Sequence, residues 1–197
     1  MICAPDTLII LVEKGGIDIL YEKMYKYQKK NKMSKIKNVA TITDDKVINV
    51  RRAAIEHRGR WAAGFYTEAR AQGIDLEPIM RKVIFQQGVD SGKAEAKKFD
   101  EVTPKTYGHY FCTKDYNETF EKKILVEEDD HFECSLNYCP LVAAWQKLGL
   151  SDEDCAKLCD IAMEGDRGSA EGLGLDFELK SSLACGDDCC HLVYRKK

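Results

Sequence analysis

Cys139 occupies the position in this sequence at which a thiol has most reason to be reactive. It follows a predicted strand and immediately precedes Pro140, a residue that favours the first position of a helix. A thiol at a helix start faces unpaired backbone N–H groups and the positive end of the helix dipole, which lower its pKa. The sequence therefore predicts Cys139 as a nucleophile. The alternative is a small apolar side chain that fits a tight corner.

His191, Asp160 and Asp166 are the other candidate catalytic residues. His191 lies in the last predicted strand, where it could act as a base or a metal ligand, or simply be a hydrogen-bonded strand histidine. Asp160 lies near the end of a predicted helix, where a carboxylate opposes the dipole, so a function could explain its position. Asp166 has a structural explanation as a helix N-cap. Glu164 shares a helix face with Asp160.

The cysteine spacing argues against a structural zinc site. The chain has nine cysteines but no C-x-x-C pair. Cys155 and Cys159 fit the buried stripe of one helix without metal. No P-loop, dinucleotide fingerprint, nucleophile elbow or H-E-x-x-H motif occurs. We therefore expect no cofactor and no metal site, with a divalent metal left open.

Charge and hydropathy restrict the class of partner. A net charge of −3 without a basic, aromatic-rich stripe argues against nucleic acid. The longest apolar run, residues 8–12, is far shorter than the roughly 20 residues of a spanning helix, and no signal peptide precedes it. An odd number of cysteines without a regular framework favours a reducing compartment. We expect a cytoplasmic protein with a small-molecule substrate, no membrane partner, and homo-oligomerisation left open.

Two regions are predicted to position these residues. Residues 1–42 form an accessory segment with an amphipathic helix over 17–30, and residues 43–197 form the main domain. Residues 43–73 predict a long helix capped at Thr43-Asp44, and residues 76–88 a second helix that stops near Gly88. The buried face of the long helix is predicted to consist of Val47, Val50, Ala54, His57, Trp61, Phe65 and Ala69. In that stripe, His57 is most simply a satisfied core histidine.

The C-terminal half predicts two hairpins around a helix pair. Strands are expected over 122–128, 131–138, 175–183 and 190–194, and helices begin at Pro140 and Ser151. Residues 91–117 are expected to be partly helical, and residues 172–174 to form a loop. The sequence therefore predicts an α+β fold: an antiparallel sheet of about four strands with helices packed on one face, preceded by a long amphipathic helix.

Several segments resemble the L-2-amino-thiazoline-4-carboxylic acid hydrolase family. They are residues 137–141 (NYCPL), 145–151 (WQKLGLS), 158–167 (LCDIAMEGDR) and 186–191 (GDDCCH). The resemblance is strongest over 132–195 and weakens back to about residue 47. It implies a hydrolase that opens a cyclic amidine-type ring on a small cysteine-related substrate.

The implied reaction assigns roles to the candidate residues. Cys139 would attack the carbon between sulfur and nitrogen, His191 would transfer the proton, and Asp160 or Asp166 would orient it or hold the substrate amine. Arg167 or Arg58 would bind the substrate carboxylate, with His57 and Glu164 as further substrate-binding candidates. One alternative is a metal-activated water held by Cys139, Asp160 and His191. The others are a small-molecule- or metal-binding module without turnover, and an interaction protein that uses its N-terminal segment.

Overall fold

The computed structural model describes residues 34–113 and 117–197, so the predicted apolar run 8–12 and helix 17–30 lie outside the described residues. The helices are α1 (Lys46–Ala71), α2 (Glu77–Ala96), α3 (Pro104–Thr113), α4 (Pro140–Leu148), α5 (Asp152–Ala162) and α6 (Glu164–Leu173). The strands are β1 (Lys122–Glu127), β2 (His131–Leu136), β3 (Leu175–Ser181) and β4 (Cys190–Lys196). Short 3-10 turns occupy Asn117–Thr119 and Leu183–Cys185.

The four strands form one antiparallel sheet in the order β1-β2-β4-β3, so β4 lies at its centre. Side chains alternate across the sheet, and the set that faces the helices is almost completely buried: Phe132, Cys134, Leu192 and Tyr194. Helix α3 packs on β1, β2 and β4, and α6 packs on β3. The predicted α+β fold with a four-stranded antiparallel sheet is confirmed.

The caps of α1, α4 and α5 follow from the residues at their ends. Asp45, rather than the predicted Asp44, caps α1 by accepting hydrogen bonds from the next turn. Cys139 is the N-cap of α4, and Gly149 ends that helix with φ +75°. Ser151 caps α5 by accepting from the Asp154 N–H. Helices α4 and α5 therefore begin where the sequence predicts.

The predicted buried face of α1 is wrong. Its apolar residues are exposed, and we call them the α1 stripe: Val47, Val50, Ala54, His57, Trp61 and Phe65. The buried face, which packs on α4, combines the apolar Ile48 with two charged residues, Arg52 and Glu56, and two small ones, Gly59 and Ala63. This face can be buried because its charged side chains have partners and its small residues allow the helices to approach closely. The Trp145 indole of α4 donates a hydrogen bond to the Gly59 carbonyl at 3.1 Å.

The predicted helix end at Gly88 is also wrong, because Gly88 is a packing position inside α2. A Cβ at Gly88 would lie 2.3 Å from the Gly165 carbonyl oxygen, and one at Gly92 would lie 2.2 Å from that of Ser169. Glycines of α6, among them Gly168 and Gly172, lie equally close to the backbone of α2. The two helices therefore pack backbone against backbone.

The structure of the region that follows α5 also differs from the prediction. Residues Glu164–Leu173 form a full helix, so the loop predicted over 172–174 is reduced to Gly174, which ends the helix at φ +74°. Asp166 lies in the first turn of that helix, and its predicted N-cap role is wrong because Met163 occupies the cap. In the part of the chain that the structure describes, no helix is both long and apolar enough to cross a bilayer.

Candidate functional site

The Cys139 corner is held by a side chain from the segment before α1. Asn38 accepts a hydrogen bond from the Cys139 N–H and donates one to its carbonyl, each at 2.8 Å. The two bonds fix the backbone at the point where β2 gives way to α4. The thiol lies over the backbone N–H groups of Leu141 and Val142, as predicted for a helix start.

The predicted activation of this thiol is nevertheless wrong in direction. Burial raises the pKa of Cys139 more than the nearby backbone N–H groups of Val142 and Leu141 lower it. The residue is only 8% exposed and belongs to the hydrophobic core. The thiol is therefore protonated at neutral pH, and the alternative interpretation of Cys139 as a packed corner residue fits its surroundings better.

Two further thiols share that part of the core. Cys159 Sγ lies 3.3 Å from Ser182 Oγ, and the Leu183 N–H donates to Cys190 Sγ at 3.4 Å. Burial raises the pKa of Cys190 to about 12 and that of Cys159 still further. Charge repulsion from Cys139 raises the pKa of both thiols as well, so both are stable in the neutral form.

His191 lies on the opposite face of the sheet from these thiols. Its Nε2 lies 2.5 Å from Glu133 Oε2, on the neighbouring strand β2. His131 Nε2 lies 2.8 Å from the other carboxylate oxygen, to which Lys180 also donates at 2.7 Å. Hydrogen bonds from Lys180 and then from both imidazoles outweigh burial and lower the pKa of Glu133 to about 2. We call these four residues the Glu133 cluster.

Asp160, Glu164 and Arg167 belong to an ion-pair network around Arg81. Asp160 bonds to Arg81 at 2.5 Å and to Arg167 at 2.7 Å, while Glu164 bonds to the same two guanidinium groups. Burial pulls the pKa of Asp160 upward, but these arginines outweigh it and lower that pKa. Arg81 also pairs with Glu77, so the network joins α2 to α5 and α6.

The remaining predicted site residues are His57, Arg58 and Asp166, and the charges of the last two are close enough to Cys139 to shift its pKa. His57 and Arg58 are exposed on α1, and the predicted core position of His57 is wrong. The His57 ring packs edge-on against Trp61, with centroids 5.2 Å apart. Asp166 is partly buried and raises the pKa of Cys139 through its charge. The structure therefore does not bring Cys139, Asp160 and His191 together around one substrate.

A separate pocket lies where the segment before α1 meets β1. Its volume is about 340 Å³, and it is lined by Thr41, Ile42, Asn117, Glu118, Glu121, Lys122, Lys123 and Asn137. Its one buried carboxylate, Glu121, accepts from Arg52 at 3.0 Å and from Thr41 at 2.8 Å and 2.7 Å. Arg52 in turn donates to three backbone carbonyls and stacks on Tyr138 at 4.4 Å. Both members of this ion pair therefore stabilise the fold through their hydrogen bonds to neighbouring residues.

Residues 34–113 and 117–197 contain no group of three or more His, Cys, Asp or Glu side chains that could hold a metal ion. The predicted alternative of a metal-bound water on Cys139, Asp160 and His191 is not supported by their positions, since they point into three different surroundings.

The residues that the sequence interpretation missed are Glu133, His131 and Lys180. A signal for the first two was present, because His131 and Glu133 are two residues apart in a strand and must share a face. Their meeting with His191 depends on β4 lying beside β2, with Ser135 opposite His191. The local sequence does not reveal that pairing of β2 with β4.

An antiparallel sheet with helices on one face and a histidine–carboxylate cluster on the other places the chain in the α+β class. Residues 52–194 match the model of the L-2-amino-thiazoline-4-carboxylic acid hydrolase family, and the chain belongs to that family. The resemblance found in the sequence is therefore confirmed, and the family is one named for a hydrolase. A comparison with curated protein sequences finds no match.

One solved structure that resembles the chain is the crystal structure of a trafficking protein particle complex subunit 3 from Naegleria fowleri, covalently bound to palmitic acid. The similarity has a TM-score of 0.46 and 14% sequence identity, and covers 72% of this chain and 96% of that one.

Proposed function

We propose that the protein is a hydrolase that opens a cyclic amidine-type ring on a small, cysteine-related carboxylate. The observation that carries this proposal is the family match over residues 52–194, which includes both His191 and Glu133. The proposed substrate class is a 2-aminothiazoline carboxylate, whose ring carbon lies between sulfur and nitrogen and is open to attack by water.

We assign the proton transfers to His191, with Glu133 as its positioning residue. The carboxylate holds His191 Nε2 at 2.5 Å and stays ionised because its pKa is about 2. An ionised partner fixes the orientation of the imidazole, which suits a general base and acid. The His191 side chain is 24% exposed, so its ring can be reached from outside.

The proposed reaction adds one water to the ring. The water oxygen bonds to the ring carbon while His191 takes a proton from that water. His191 then gives this proton to the ring nitrogen. His191 then takes the remaining hydroxyl proton as the carbonyl forms and the carbon–sulfur bond breaks. The leaving sulfur receives this proton, so the product is a carbamoyl compound with a free thiol. Lys180, 37% exposed beside Glu133, is the proposed partner of the substrate carboxylate.

Cys139 as the nucleophile stays a prediction, and its burial makes it the less favoured assignment. Nucleophilic attack would require both deprotonation of a thiol whose pKa is raised and opening of the α4 corner. Asp160, Arg167 and Glu164 likewise stay predictions as substrate-binding residues, and they lie in the ion-pair network around Arg81, not beside His191.

The experiment measures thiol release from a 2-aminothiazoline carboxylate by wild type and matched variants. His191→Gln and Glu133→Gln should each lower the rate by at least roughly 100-fold. The control is the exposed pair His109–Glu127, which has the same chemistry at 2.6 Å, so His109→Gln and Glu127→Gln should leave the rate within about twofold. A rate lost in Cys139→Ala but retained in His191→Gln would overturn the assignment in favour of the thiol.

Ligand binding without turnover is the second candidate function. The specific observation in its favour is that the predicted nucleophile is neutral and sealed in the core. If wild type releases no thiol but its unfolding midpoint rises with added 2-aminothiazoline carboxylate, the protein is a binding module for that class of compound.

A further inference from the structure

We propose that the α1 stripe is a docking surface for an anionic lipid bilayer, whereas the sequence alone predicts no membrane partner. The stripe presents one tryptophan, one phenylalanine and two valines along about five turns of helix, with Val50, Trp61 and Phe65 each at least 60% exposed. Isolated exposed apolar residues are ordinary, but a continuous row that includes two large aromatics indicates a contact surface.

The structure gives no sign that the described residues fill the space beside this row. A Cβ added at Gly64, next to Phe65, would meet nothing within 4 Å, although Gly64 lies in the middle of a helix. The opposite face of α1 already packs on α4 through Gly59 and its neighbours. The stripe is therefore not an alternative core face but a second, outward surface of the same helix.

The charge that surrounds the stripe identifies the kind of partner. Arg51 and Arg58 follow Val47 and Ala54 by four residues, so they line one edge of the row, and Lys46 and Arg60 lie toward the other. All four are exposed. The exposed face of α1 carries a single acid, Glu68, near its C-terminal end. A strongly basic helix face around an apolar row calls for an anionic partner, even though the chain as a whole is negative.

A second copy of the chain fits this surface poorly. A two-fold pairing of α1 with itself would bring Arg51 and Arg58 of each copy close to the same residues of the other. On the exposed face of α1 (Lys46–Ala71), the one acid that could offset that repulsion is Glu68, and it lies more than two turns from Arg58. Like charges across an interface oppose association, so an isologous dimer here is disfavoured.

A bilayer surface fits the shape as well as the charge. The stripe is a convex helix face and not a groove, so it can enter the headgroup region without a shaped partner. Trp61 and Phe65 would lie at the boundary between headgroups and acyl chains, where aromatic rings are favoured, while the arginines contact lipid phosphates and carboxylates. This is peripheral contact by the side of a helix, and it needs no spanning segment.

The test uses the full chain with vesicles of phosphatidylcholine alone or mixed with phosphatidylserine. Sedimentation should show binding to the mixed vesicles that weakens as salt is raised. The chain has two tryptophans, and Trp145 is only 1% exposed, so a blue shift of emission on binding reports Trp61. Trp61→Ala with Phe65→Ala, and separately Lys46→Glu with Arg58→Glu, should each weaken vesicle binding by at least roughly tenfold.

Matched controls lie on α2, which exposes similar residues without the same arrangement. Ile79→Ala, at a position 59% exposed, and Lys82→Glu with Lys93→Glu should change binding by no more than about twofold. Equal unfolding midpoints show that each variant is folded. Absence of binding to phosphatidylserine vesicles overturns the proposal, as does binding to an acidic polypeptide in their place. A concentration-dependent dimer that Trp61→Ala dissociates overturns it in favour of a second copy.

Discussion

His191 Nε2 and Glu133 Oε2 form a 2.5 Å hydrogen bond between the two central strands, on the sheet face opposite to the buried thiols. Cys190, the residue before His191, points to the other face and contacts the turn at Leu183. One step along β4 therefore separates a partly exposed acid–base pair from a neutral, sealed group of cysteines. Chemistry in this domain is more readily assigned to the first than to the second.

Glu133→Gln should lower the free energy of unfolding at neutral pH by about 1–2 kcal/mol, because it removes the charge that Lys180 and the two imidazoles bind. The folded pKa of about 2 lies below the ordinary glutamate value of about 4.3, so this stabilisation is complete above pH 4.3 and is lost as the pH falls toward 2. Urea unfolding at a series of pH values measures the difference from wild type.

The control for that experiment is Glu127→Gln, whose partner His109 is 58% exposed and should contribute little. If the difference between wild type and Glu133→Gln stays constant from pH 7 to pH 3, the carboxylate is not held ionised by its neighbours in the folded state.

Arg52→Met should destabilise the fold by about 3–5 kcal/mol, because it leaves the Glu121 carboxylate buried without its cation. The two side chains are only 5% and 6% exposed, and Arg52 also satisfies the carbonyls of Ile42 and Thr119. The double variant Arg52→Met with Glu121→Gln should recover part of the loss, since the uncompensated charge is then gone. Chemical unfolding of the three proteins measures it, and equal stability of wild type and the single variant would contradict this interpretation.

Local sequence predicted the elements well where a residue type acts within its own turn. Pro140 after Cys139 and Ser151 before three acids gave the starts of α4 and α5, because caps are decided by the residues that form them. The alternation around Phe132 placed Phe132 and Cys134 in the core in the same way, although Glu133 and Ser135 on the other face of β2 are buried as well.

The larger errors depend on tertiary partners. Gly88 does not end α2, because a backbone carbonyl of α6 occupies the space where a side chain would lie. The apolar stripe of α1 faces outward, because Arg52 finds Glu121, almost seventy residues away, and can be buried with it. The thiol of Cys139 is neutral, because the core closes over a helix start that would otherwise activate it. Periodicity and local capping contain no information on these contacts.

Gly92→Ala should destabilise the protein by about 2–4 kcal/mol. The new methyl group would lie 2.2 Å from the Ser169 carbonyl oxygen and would push α2 away from α6. Gly64→Ala is the matched control in another helix interior, where nothing lies within 4 Å. That substitution should stabilise the protein by about 0.5–1 kcal/mol, since alanine loses less backbone entropy than glycine in a helix. Thermal unfolding of both variants separates close packing from helix propensity, and opposite signs are the expected result.

Alkylation of the native chain should modify Cys185 well before Cys139. Cys185 is exposed, whereas Cys139 is buried and its pKa is raised, so both access and thiolate concentration are lower at Cys139. Mass spectrometry after timed treatment with iodoacetamide gives the order, and Cys112, Cys134 and Cys155, all buried, serve as internal references. We expect Cys139 to be alkylated as slowly as these buried cysteines, at the rate at which the domain opens.

In urea all of these cysteines should be alkylated alike, with the pH midpoint of the rate near the ordinary thiol pKa of about 8.5. If Cys139 instead reacts as fast as Cys185 with a midpoint below that value, the helix start prevails over burial, and the thiol returns as the leading candidate for the nucleophile.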